Sequence, residues 1–205
     1  MGLRKKNNLK HLMVVFAATF VLACLVGIGA AALMQYTSMV VSWVLLLVII
    51  VFGILFDIIG IAATAASEAP HHAKAANRVF GGKQAVNLVR NADKVANYAN
   101  DIVGDVAGTL SGAFAASIII EMVYYYPTLK TYEIWLNTIM LALVASLTVT
   151  GKAMGKTLAI NEADEIIAAV GRLIATIEKI TGWNFSNHKK KGGKRSGPTR
   201  KNPRT

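Results

Sequence analysis

The chain has 205 residues, of which 54% are hydrophobic, and carries 22 basic against 11 acidic residues. That balance excludes an ordinary soluble domain and describes a small basic membrane protein, one membrane domain with tails. Cys24 is the single cysteine, so no intramolecular disulfide is possible, and the absence of a Cys/His set argues against a zinc- or copper-selective site.

The basic opening, residues 1–11, carries Arg4, Lys5, Lys6 and Lys10 and precedes an uncharged apolar run, residues 12–34, long enough to span a bilayer. A signal peptide with cleavage near Ala30-Ala31-Ala32 is the rival reading, but the run exceeds an ordinary signal core. After a short Gln35-Tyr-Thr-Ser38 turn, residues 39–66 predict a second span, long enough to tilt. Asp57, Thr64 and Glu68, spaced by seven and four, predict one polar helical face beside Gly60 and Ile61.

Pro70 and a polar, Ala-rich stretch end that span. Gly81-Gly82 predicts a turn between two short surface helices. His71 and His72 are adjacent and therefore point about 100° apart on a helix, which argues for solvated side chains rather than metal ligands. A third span is expected over residues 95–124. Its first half carries Asn97, Asp101, Gly104, Asp105, Gly108, Ser111 and Gly112 at three- and four-residue steps, which predicts one polar, glycine-rich face turned away from lipid. Gly104, Gly108 and Gly112 are the expected helix-packing ladder, and Tyr124, Tyr125 and Tyr126 the interfacial belt.

A fourth span is expected over residues 134–156, interrupted by Thr150-Gly-Lys-Ala-Met-Gly-Lys156. Residues 161–182 read as an amphipathic helix with Ile166, Ile167, Val170, Leu173, Ile174, Ile177 and Ile180 on one face, lying along the membrane or docking under the bundle. Residues 184–205 are acid-free and aperiodic and read as a disordered basic tail attracted to anionic lipid head groups. Nucleic-acid binding has no motif to support it. The distribution of Lys and Arg predicts an all-α membrane protein of four transmembrane helices plus cytosolic juxtamembrane helices, with N and C termini cytosolic, in the cell membrane.

Three blocks resemble the transmembrane domain of the cyclin M and bacterial CorB/CorC magnesium transporters. Ala62-Ala-Thr-Ala-Ala-Ser-Glu-Ala69 is similar to a small-residue segment ending in Ser-Glu, Asn100-Asp-Ile-Val-Gly-Asp-Val-Ala107 to an Asn-rich pattern, and Gly151-Lys-Ala-Met-Gly-Lys-Thr-Leu-Ala-Ile-Asn-Glu-Ala163 to Gly-Glu-x-x-Pro-Lys-Thr-Leu-Ala. The last is the most specific, and the likeness covers about residues 58–173. It implies a three-span core, to which residues 12–34 are an addition, and a homodimer. The paired nucleotide-binding modules that usually follow that domain have no counterpart in these residues, so regulation would fall to a soluble subunit.

Two functions follow. In the first, a divalent cation transporter, most naturally for Mg²⁺, holds the ion between the second and third spans with oxygens from Asp57, Thr64, Ser67 and Glu68 on one side and Asn97, Asn100, Asp101 and Asp105 on the other. In the second, Lys152, standing where the family pattern has an acid, neutralises the intramembrane acids and the chain is a non-transporting scaffold or partner subunit. No nucleophile or phosphate loop marks an enzyme.

Overall fold

A computed structural model describes residues 2–36 and 38–182, with the side chains of residues 2–11, 30, 31 and 33–36 left aside. The expectations for Trp183 and the basic tail lie outside the described residues. Every regular element among those described is helical, in the order α1 (Gly2–Tyr36), α2 (Met39–Ala65), α3 (Glu68–Ala76), α4 (Gly82–Arg90), α5 (Ala92–Ala96), a π-helical segment (Asn97–Gly104), α6 (Asp105–Tyr125), a 3-10 turn (Pro127–Tyr132), α7 (Glu133–Asn161) and α8 (Ala163–Thr181). Among the described residues four stretches are long and apolar enough to cross a membrane: Leu12–Gly29, Met39–Ala65, Ala92–Tyr125 and Pro127–Asn161.

Helix α2 is the hub, packing against α7 on one side and against the π segment and α6 on the other. Leu46 and Ile50 of α2, Phe114, Ala115, Ile118 and Ile119 of α6, and Met140 and Val144 of α7 form one buried cluster at the end of the bundle where α2 and α7 begin and α6 finishes. In a bilayer, helices such as these would meet through shape rather than through exclusion of water, because lipid tails are as apolar as the core. Ala62, Ala63, Ala85, Ala159 and Ile167 make a second cluster at the opposite end, where α4 and α8 join the bundle. Helix α1 stands at the periphery, packing chiefly against α6 and the π segment, and none of its residues from Leu12 to Gly29 is buried.

Four expectations are corrected. Helix α2 ends at Ala65, and Ser67 is the extended residue from which α3 starts, so Asp57, Thr64 and Glu68 do not share one helical face. Pro70 fits because it falls in the first turn of α3, where no amide partner is lost. Helix α7 runs unbroken to Asn161, since Gly151 and Gly155 are packing sites, not an interruption. On α8 the docked face is Ala163, Ile167, Gly171, Ala175 and Glu178, while Leu173, Ile177 and Ile180 stay exposed. Close backbone approach decides this: a Cβ on Gly171 would come within 2.7 Å of the Gly81 carbonyl oxygen and 2.9 Å of the Ala85 nitrogen. Finally, His71 is buried; its Nε2 lies 3.3 Å from Asp164 Oδ1 of α8, which also accepts the Ser67 backbone N–H at 2.9 Å. The turn at Gly81-Gly82 is as expected, with Gly81 at φ +82°, a left-handed conformation suited to glycine.

Candidate functional site

The π-helical segment occupies the stretch in which the sequence concentrates amides, acids and glycine. Asn and Gly are weak α-helix formers, so local propensity resists a change of winding little. What holds the wider turns is α2. Gly53, Asp57 and Gly60 recur at four and three residues and therefore lie on one face of α2. A Cβ on Gly53 would stand 2.9 Å from that of Ala107, and one on Gly60 would stand 2.9 Å from the Asn100 Cβ and 3.2 Å from its nitrogen. The two glycines thus seat Asn100 and Ala107 directly on the α2 backbone, with Asp57 midway between them.

The other flank of Asp57 is closed by α7. Ile54 of α2 fills the space over Gly151, and Ile58 does the same over Gly155, where a Cβ would fall 2.7 Å from Ile58 Cγ1. Lys152 follows Gly151 directly, and its side chain reaches back toward α2. Its Nζ lies 3.7 Å from Asp57 Oδ1 and donates to Asp105 Oδ1 at 3.2 Å, so one ammonium links two carboxylates on two other helices. Burial is graded across the three: the Asp57 side chain is 9% exposed, Lys152 24% and Asp105 71%.

No family model, curated protein or solved structure matches this chain.

Depth can be read from helix length. Asp57 lies eighteen residues after Met39, Lys152 nineteen after Glu133, and Asp105 twenty before Tyr125, about 27 to 30 Å at the ordinary helical rise. The three charges therefore share one level, close to one hydrocarbon thickness from the end of the bundle bearing the tyrosines.

The other expected ligands are dispersed. Ser67 and Glu68 belong to the α3 end: the Ser67 N–H is held by Asp164, and Glu68 pairs with His72 at 3.1 Å and Arg90 at 3.8 Å. The Thr64 hydroxyl donates to the Ile61 carbonyl and is exposed. Asn97 donates to Asp101 Oδ2 at 3.2 Å on the outward side of the π segment, and Asp101 is exposed. Asn100 sits against Gly60, and Gly104 comes close to Gly53 and to Asp57 Oδ1.

The expected common face of the third span divides: Gly104 and Ser111 are buried, whereas Asp101 and Asp105 are exposed. The ladder likewise divides. Gly104 packs on α2, a Cβ on Gly112 would just touch Leu141, and one on Gly108 would meet nothing within 4 Å. Among the described residues no group of three or more His, Cys, Asp or Glu converges. Sequence reasoning passed over Gly53, Ile54, Ile58 and Asp164; the signal for the first was its spacing of four from Asp57, which repeats as three to Gly60.

Proposed function

We propose that this chain is a multi-pass protein of the cell membrane, with both termini in the cytosol, that serves as a non-transporting scaffold or partner subunit with Lys152 as its built-in cation. The observation that carries the reading is the position of Lys152 Nζ, 3.2 Å from Asp105 and 3.7 Å from Asp57. A magnesium ion at that point would need the same oxygens, and would also have to exchange tightly held waters for them. An ammonium on the same polypeptide is present at every moment, at an effective concentration that a dilute ion does not match. The resemblance to the CorB/CorC membrane domain supports descent from a transporter core, and the substitution of Lys152 for that family's acid supports loss of the ion.

A second reading, the divalent cation transporter, draws on a specific feature. Asp105 is exposed, and Asp101, one turn earlier and also exposed, leaves carboxylate oxygens on an open side of the third span. In that case Lys152 would be displaced by the arriving ion, with magnesium as cargo, and homodimerisation and a soluble regulatory subunit would come with the resemblance.

Thermal unfolding of the purified protein across a magnesium titration, with calcium as control, separates the readings. A ligand of the folded state adds about 2.7 kcal/mol at one hundred times its dissociation constant. The scaffold reading requires no magnesium-dependent rise in the parent and a rise in Lys152→Glu. A rise in the parent that disappears in Asp57→Asn would establish a specific magnesium site and overturn the scaffold reading, and magnesium flux into liposomes would then test transport.

A further inference from the structure

Away from the charged triad, cations gather at the α3–α4 turn. A cleft of about 690 Å³ between this turn and the last two turns of α8 is lined by Arg78, Lys83 and Lys179, together with Phe80, Gln84 and Glu178. Glu178, the acid of the lining, is buried and its carboxylate accepts from Gln84 Nε2. None of the three cations is ion-paired among the described residues. Like charges brought to one cleft repel, and an arriving anion relieves them.

Backbone geometry shapes the turn. Arg78 has φ +55°, the single non-glycine residue with positive φ among those described. That conformation closes α3: the Val79 N–H bonds to the Lys74 carbonyl at 2.9 Å and the Arg78 N–H to the Ala75 carbonyl at 3.1 Å, the Schellman ending of a helix. The next two residues, Val79 and Phe80, are 49% and 53% exposed, so the turn ends in an apolar tip. On its other side a smaller cleft of about 230 Å³ carries Lys74 and Arg172. An apolar tip flanked by cations on both sides matches an anionic membrane surface, with rings and aliphatic carbons in the acyl boundary and ammonium groups among phosphates. The bilayer is close by in sequence: α3 starts three residues after α2 ends, and α4 ends two residues before α5 opens the next span.

We propose that the cleft of Arg78, Lys83 and Lys179 binds the phosphorylated head group of an anionic lipid, while Val79 and Phe80 enter the adjoining apolar layer. It rests on the membrane reading but not on the role given to Lys152. The cations carry the recognition, on a turn that Gly81 closes as the N-cap of α4, with the Gly82 N–H bonded to the Val79 carbonyl.

The test uses the full chain in nonionic detergent, with binding of phosphatidic acid, phosphatidylcholine and glycerol 3-phosphate measured by native mass spectrometry and by the unfolding midpoint. Phosphatidic acid should bind at least about tenfold more tightly than phosphatidylcholine. Lys83→Gln and Lys179→Gln should each weaken it about fivefold, Lys83→Arg should retain it, and Phe80→Ser should weaken the lipid but not glycerol 3-phosphate. Both lysines are exposed, so the lipid-free midpoint should not move. Equal binding of the two lipids, or parental binding in the Lys83→Gln/Lys179→Gln pair, would overturn the proposal, the latter by assigning the lipid to another basic region. Glycerol 3-phosphate binding as tightly as phosphatidic acid would overturn it in favour of a soluble phosphate ligand. A failure of the magnesium experiment leaves each of these outcomes readable.

Discussion

Replacing Lys152 by Met keeps the length of the side chain and removes its charge, leaving Asp57 buried with no cation at its carboxylate. Coulomb attraction across the 3.7 Å between them is about 4.5 kcal/mol at an effective dielectric constant of ~20. Part is returned because the lysine no longer loses hydration, and the partial exposure of Lys152 admits water, so the net loss should be about 2–3 kcal/mol. Asp105 adds little to this figure, since its exposed carboxylate is well screened. For a chain of this size the loss corresponds to roughly 5–10 °C in the unfolding midpoint. The informative comparison is with the double variant Lys152→Met/Asp57→Asn, which removes both charges at once. If the ion pair is what holds α2 to α7 here, the double variant recovers most of the loss, a coupling of at least about 1.5 kcal/mol in the mutant cycle. A double variant no more stable than Lys152→Met alone would refute the reasoning, because the lysine would then act through its packing and not through its charge.

Other consequences are equally direct. Gly60→Ala should cost about 1–3 kcal/mol, because the added methyl meets the Asn100 and Ala96 backbones, which cannot swing aside; helix content by circular dichroism should persist while the midpoint falls. Gly108→Ala meets open space and should leave the midpoint within about 0.5 kcal/mol of the parent. Asp164→Ala removes the acceptor of the Ser67 N–H and the partner of buried His71; about 1–3 kcal/mol should be lost, with proteolysis and hydrogen exchange accelerated in α3 and α8 before the spans.

The four spans were legible because an uncharged run of eighteen or more residues has few alternatives. Asp57, Asp105 and Lys152 could each be singled out as charges in apolar company, but their meeting depended on which helices are neighbours, and hydropathy is silent on that. The π winding of Asn97–Gly104 was illegible for a similar reason, since it answers to Gly53 and Gly60 on another helix. Chained three-residue steps drift around a helix, so Asp105 and Ser111, both in α6, stand about 120° apart, one exposed and one buried, and the spacing rule overextended the polar face of the third span. On α8 the isoleucine stripe outweighed Gly171 and Ala175 as a signal, although close backbone approach selected the small residues. His71 was hidden by its neighbour: two adjacent histidines look alike in sequence, while one faces the α8 contact and the other the surface.

Helix α1 buries none of its residues from Leu12 to Gly29, and that frees it for a task during synthesis. It is the first of the four apolar stretches in chain order, and Arg4, Lys5, Lys6 and Lys10 stand ahead of it. On the proposed orientation these cations hold the leading end on the side of translation, so every later hairpin is laid into the bilayer with its direction already decided. Without α1, α2 would have to enter with its leading end translocated, and the two aspartates and the lysine would meet only if that harder insertion succeeded. On that orientation, a helix peripheral to the finished bundle would act as the template for its polarity.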